Sequence, residues 1–249
     1  VKELDLGGST IGALAQMQRM PVESLLIDDA GVKDRDLSLI KDMPLKRLSV
    51  KNGLVTSLAP LQGLALEYLD VSGNKSVRDL APLARLPLVE LHLAGTAVAD
   101  ISSLKKMPLK VLNLASTGVR DLSPLQGMSL TTLVLSHTPV QSLLPLRGMP
   151  LEDLRLTATS AADLAPLSGM SLKRFSCAGL HPASWEPVSG MPITDLYIDT
   201  DRSEAAEEFV NSLGQLERLN GKPWVRDAEQ KPTVKPLKPD FPRKPDKPR

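Results

Sequence analysis

Apolar residues recur along this chain at a fixed spacing. In the stretch LKVLNLASTGVRDLSPLQGMS they are Leu109, Leu112, Leu114, Val119, Leu122, Leu125 and Met128, at positions 1, 4, 6, 11, 14, 17 and 20 of a 21-residue unit. Units begin at Val1, Val22, Leu45, Leu66, Leu88, Leu109, Leu130, Leu151, Leu172 and Ile193, at intervals of 21, 23, 21, 22, 21, 21, 21, 21 and 21 residues. Such self-similarity marks a repeat protein, in which each unit stacks its apolar face on its neighbour because it cannot bury that face alone.

Positions 4 and 6 alternate with polar neighbours, so positions 3 to 7 predict a short strand. All these strands would share one parallel sheet, about 4.8 Å apart. The rest of each unit is long enough for a parallel link, which takes about a dozen residues, and too short for a long helix. The run Asp121 to Met128 therefore predicts a tight return with a short 3₁₀ or helical turn. Asp or Ser at position 13 (Ser57, Asp100, Asp121, Ser142, Asp163, Ser184) would cap that turn by accepting a backbone N–H. Pro at position 16 lacks an N–H that a first turn does not use, and Gly127, Gly148, Gly169 and Gly190 let the chain swing back to the next strand.

The L-x-x-L-x-L opening of the units resembles leucine-rich repeats, most closely the short bacterial kinds and the internalin repeats, over about residues 1 to 221. The resemblance implies an α/β solenoid with a parallel sheet on one face and short 3₁₀ or helical returns on the other. The D-L-x-P-L-x-G-M tail looks like versions found in large bacterial multidomain proteins, some with a serine/threonine kinase domain; nothing in this chain matches a kinase. The family places Asn at position 9, where its amide ties successive turns. Here Asn occurs there only as Asn74, with Thr at Thr96, Thr117, Thr138 and Thr159 and Ser at Ser9. Thr recurring at that place is expected to face the turn backbone as a structural device rather than to belong to a site.

Departures from the period divide the chain. Residues 1–192 hold nine repeats, and 193–221 the start of a tenth and a C-terminal helical cap. In DRSEAAEEFVNSLG, Asp201 and Glu204 have capping-box spacing, Ala206, Phe209, Val210 and Leu213 form an apolar stripe, and Gly214 ends the helix. Leu216 and Leu219 would supply a last short strand. Residues 222–249 read as a Pro/Lys-rich extended tail or linker: the last 29 residues carry nine Lys or Arg against four Asp or Glu, with seven Pro. The two extra residues of the second repeat make GVKDRDL an expected extruded loop, and the fourth repeat has one extra at Lys75 or Ser76. The ninth places Pro182 and Trp185 at positions 11 and 14, where Trp185 is expected to pack into the core. The start at Val1, already inside the pattern, suggests a piece of a longer protein.

Charge and composition remove several function classes. A net charge of +1 and the absence of a sustained basic stripe argue against nucleic acid. The sequence has no run of eighteen apolar residues, so no membrane insertion by a helix is expected from this segment. The single cysteine, Cys177, sits at inward position 6 and reads as a small buried hydrophobe. His92 and His137 lie two repeats apart, too far to share a metal, and Glu90 and Asp153 are three strands apart, too far for paired-carboxylate chemistry. Nucleotide-loop and H-E-x-x-H motifs do not occur. The reading is a non-enzyme without cofactor or metal.

Binding is then sought where the copies vary. Outward positions 3, 5 and 7 form columns across a parallel sheet. Some charges there are expected to compensate one another, as Arg174 between Asp153 and Asp195, and Glu152 beside Lys173. What remains is a mixed patch of Tyr68, Glu90, His92, Asn113, Val134, Arg155, Arg174 and Tyr197, suited to protein or peptide recognition by a monomer. Two alternatives stay open. One is a spacer or regulatory region of a larger bacterial receptor or kinase, extracytoplasmic or in a membrane-anchored parent. The other is surface glycan binding, which Tyr68 and Tyr197, six repeats apart, do not serve as one small sugar site.

Overall fold

The computed structural model describes residues 2–8 and 20–224. Each repeat contributes one three-residue strand, and the strands pair in chain order. They are β1 Glu3–Asp5, β2 Ser24–Leu26, β3 Arg47–Ser49, β4 Tyr68–Asp70, β5 Glu90–His92, β6 Val111–Asn113, β7 Thr132–Val134, β8 Asp153–Arg155, β9 Arg174–Ser176 and β10 Asp195–Tyr197, followed by β11 Arg218–Leu219 and β12 Lys222–Pro223. Pairing from β1 to β11 is parallel, and β12 turns back antiparallel on β11. Register is strict: Val111 pairs with Thr132 and Thr132 with Asp153, so equal repeat positions form straight columns as expected.

The apolar positions fill the space between sheet and returns. In the sixth repeat Leu109, Leu112, Leu114, Val119, Leu122 and Leu125 are fully buried, and Met128 nearly so. Burying one such side chain contributes about 1.5–3 kcal/mol, and each coil gains it only from the coils beside it. Cys177 belongs to this core. Burial pushes its thiol well above the usual range, with Asp199 adding to the effect. Since the thiolate is the reactive form, modification by a disulfide reagent should be slower than in denaturant by at least about a hundredfold. Equal rates would place the thiol outside the core.

Short 3₁₀ turns such as Ser123–Leu125 make the returns. The residue at position 13 caps them as the sequence implies: Asp121 Oδ1 accepts from Ser123 N at 2.8 Å, and Ser57, Asp100, Ser142, Asp163 and Ser184 accept in the same way. Left-handed backbone recurs at position 19 (Gly127, φ 72°) and at position 8, where Ser116, His137 and Ala158 also adopt it. His137 is thus a turn residue.

Position 9 lies against the turn. Thr117 Oγ1 donates to Leu114 O at 2.6 Å, and Thr96, Thr138 and Thr159 make the same bond. Asn74 reaches further. Its Nδ2 donates to Val71 O in its own coil at 2.9 Å and to Val50 O in the coil before at 2.7 Å, and its Oδ1 accepts from Val55 N at 3.0 Å. Ser9 lies outside the described residues.

Two local expectations are corrected. GVKDRDL is not an extruded loop: Asp34–Leu37 forms a helical turn that continues into the 3₁₀ turn Ser38–Ile40, because Val32 and Leu37 face inward and are fully buried. The helix Glu204–Ser212 forms with Ala206, Phe209, Val210 and Leu213 buried, but its N-cap is Ser203, in extended backbone, whose Oγ accepts from Ala206 N at 3.3 Å. Asp201 stands two residues too early for that role. The helix occupies the connection from β10 to β11, and Trp185 stacks on its Phe209 with ring centroids 4.8 Å apart.

Beyond it the chain makes a hairpin through Asn220 and Gly221, both with positive φ, as a two-residue strand connection of the I′ type requires. Among the described residues the sheet therefore extends to Pro223, and Pro on this last described strand withholds a donor from its outer side. The tail from residue 225 lies outside the described residues. Among the described residues no helix is long and apolar enough to cross a membrane.

Candidate functional site

The eight residues singled out on the sheet face are spread from β4 to β10. Six of them fall into two clusters, and the other two lie between, on β6 and β7.

The first cluster spans β3 to β5. Arg47 lies over the Tyr68 ring, 4.0 Å from its centroid, a cation–π contact of about 0.5–1 kcal/mol when exposed. The Tyr68 and His92 rings are 5.6 Å apart and tilted at 48°, and His92 Nε2 meets Glu90 Oε1 at 2.7 Å. Burial, reinforced by Asp70 and Glu90, pushes the Tyr68 phenol above its usual value despite Arg47 and Lys51, so it remains a neutral donor. On the flank of these strands Tyr68, Glu90, Glu23, Glu67, Lys46 and Arg47 border an open depression of about 390 Å³.

Asn113 and Val134 lie between the clusters. Asn113 Oδ1 accepts from Ala115 N at 3.0 Å, which fixes its carboxamide at the strand end. Val134 is half-buried, with no polar partner to lose.

The second cluster spans β8 to β11. Arg155 grips Asp153, two residues before it on the same strand, with Nε at 3.1 Å and Nη2 at 3.0 Å. That fork raises the Arg155 pKa further and fixes its plane. Arg174 Nη1 approaches the same carboxylate at 3.5 Å. Asp195 does not turn to Arg174 as the columns imply; its partner is Arg218 Nε on β11, and that contact raises the Arg218 pKa. At the margin Lys173 Nζ pairs with Glu152 at 2.7 Å, as expected. Tyr197 stands 46% exposed beside these groups, and the cluster encloses an open groove of about 260 Å³.

Arg47, Asp153, Asp195 and Arg218 are the members the patch omits. The signal for Arg218 is present in LERLNG, where Leu216 and Leu219 repeat the spacing of positions 1 and 4 and so put Arg218 at position 3. Charge neutralisation hid the two aspartates: a column shows that Asp153 neighbours Arg174, but not that the carboxylate lies buried beneath exposed guanidiniums.

Among the described residues no three His, Cys, Asp or Glu side chains converge as a metal site would need. The arrangement offers aromatic faces and fixed guanidinium forks on a stiff sheet, which is the chemistry of non-covalent recognition.

No family model and no curated protein matches the chain. Solved structures do. Internalin InlF of Listeria monocytogenes aligns with a TM-score of 0.67 at 23% identity, over 82% of this chain and 62% of that one. Internalin C2 of the same organism aligns with a TM-score of 0.50 at 24% identity, over 64% of this chain and 89% of its own. This chain thus spans 62% of the length of InlF. With its parallel ladder, 3₁₀ returns and position-9 ties, it is a leucine-rich-repeat solenoid with the fold of the Listeria internalins.

Proposed function

We propose that the chain is a non-catalytic scaffold for recognising a protein or peptide through the outward face of its sheet. The observation that supports this reading is the contrast between frame and face. The inward positions repeat nearly unchanged, whereas the outward residues differ from copy to copy and group into an aromatic–cation cluster at β3 to β5 and a guanidinium–tyrosine cluster at β8 to β11. A sheet of packed coils holds such groups in place without a large ordering entropy on binding. Protein recognition also fits the fold shared with the internalins, whereas a glycan site would want neighbouring aromatic platforms, and Tyr68 on β4 stands six strands from Tyr197 on β10.

Selection of a random peptide display library against the immobilised chain tests the reading. Binding of the enriched clones should fall at least about tenfold on Tyr68→Ser, Val134→Lys or Tyr197→Ser, and should persist on Arg120→Glu on the return side. Clones that respond only to Arg120→Glu would move recognition off the sheet face.

A further inference from the structure

We propose that the groove over β8 to β11 takes a short acidic peptide segment, held by Arg155, Arg174 and Arg218 beside Tyr197. The proposal rests on the recognition reading above and adds the partner's chemistry. Three guanidiniums stand over two carboxylates at sheet level, with Glu217 beside Arg218 as the one further acid that none of the other cations engages. The layers differ in depth: the Asp153 and Asp195 side chains are 7% and 12% exposed, whereas those of Arg174 and Arg218 are each 59% exposed. The acids lie at sheet level, and the cations form the surface a partner meets.

Donor capacity points the same way. A guanidinium carries five N–H donors. Arg155 spends two on Asp153 and Arg218 directs Nε at Asp195, while Arg174 has only a 3.5 Å ion pair with a carboxylate already gripped by Arg155. The buried aspartates orient the forks and leave most of their outward N–H groups for another acceptor, and carboxylates match that geometry in bidentate fashion. The groove's roughly 260 Å³ falls below the ~300 Å³ at which small-molecule pockets begin. Its size and openness suit side chains of a docked segment.

The surroundings limit the partner's length and class. Glu152 and Glu217 sit just before β8 and β11, at the margin of the arginines, and Lys173 is already engaged by Glu152. A long polyanion such as single-stranded nucleic acid needs a continued positive track, which these acids interrupt. Two or three carboxylates on a short extended segment meet only the arginines.

Fluorescence anisotropy with a labelled Gly-Glu-Gly-Glu-Gly amide, at low ionic strength and on the whole chain, tests the proposal. The Glu peptide should bind at least about tenfold more tightly than its Gln counterpart. Arg174→Gln and Arg218→Gln should each weaken it about five- to tenfold, Arg174→Gln with an unchanged thermal melt, and Lys110→Gln, distant on the sheet margin, should leave it unaltered. Arg218→Lys should recover only part of the loss, because the charge returns without the fork. Equal binding of the Glu and Gln peptides would overturn the proposal, as would indifference to both glutamine variants. So would competition by an octathymidylate as strong as that by the Glu peptide. If these arms fail while display-selected peptides still depend on Tyr68 and Val134, the acidic-segment inference falls and the scaffold reading stands.

Discussion

Replacing Asn74 with alanine should lower the unfolding free energy by about 3 kcal/mol, whereas Thr138→Val should cost no more than about 1 kcal/mol. Both residues occupy position 9, are buried and hydrogen-bond the turn, so the difference lies in what each leaves behind. Asn74 satisfies Val50 O and Val71 O and accepts from Val55 N, tying two coils together. Its removal strands Val50 O and Val55 N, both buried in the coil before, each at about 1–3 kcal/mol before relaxation, while Val71 O keeps the Asn74 backbone N–H at 3.3 Å. Thr138 gives only Oγ1 to Leu135 O, at 2.6 Å, and that carbonyl keeps the Thr138 backbone N–H at 3.2 Å. Valine fills the same space and leaves no carbonyl without a donor. Urea titration of the two variants against the parent checks the ranking. A Thr138→Val loss equal to that of Asn74→Ala would mean that threonine also joins neighbouring coils.

The same pair of residues shows how far the sequence can be read. Period, strand positions, capped returns and the inward position 9 all follow from spacing, because each is set by a local rule repeated in every copy. What spacing cannot show is how one copy adapts to its neighbour. Gly53 occupies position 9 in the third repeat, and a Cβ there would lie 2.8 Å from Asn74 Oδ1. The missing side chain is the room into which the carboxamide reaches, a relation visible only when the coils are stacked. GVKDRDL was expected to loop out on count alone, yet its hydrophobic residues pull it into a helical turn. On the outward face the columns gave the right neighbours, and Lys173 with Glu152 and Arg174 with Asp153 pair as they imply, but the other partners differ. Rotamer choice joins Arg155 to Asp153 on its own strand and Asp195 to Arg218 one strand beyond the regular repeats.

Phe209→Ala should destabilise the C-terminal end by about 3–5 kcal/mol without a comparable effect at the middle of the sheet. Phe209 is 1% exposed and stacks on Trp185, joining the helix Glu204–Ser212 to the ninth return. Truncation leaves a cavity between them and removes the contact that holds the helix over the last coils. In a stack where each coil touches only its neighbours, free energies sum locally, so a lesion near one end lets that end open on its own. Amides of Ile198, which donates to Asn220 Oδ1, and of Leu219 should exchange faster, while those of Leu112 and Leu133 on β6 and β7 keep their protection. In a Trp224→Phe background the emission of Trp185 should shift to the red as the stacked ring is lost and water enters. Because Arg218 reaches Asp195 only while β11 is docked on β10, acidic-peptide binding should weaken in the same variant. Tyr68 and Arg47, at the other end, should keep their contact. Equal acceleration of exchange on β6, β7 and β11 would show instead that the coils unfold as one cooperative unit.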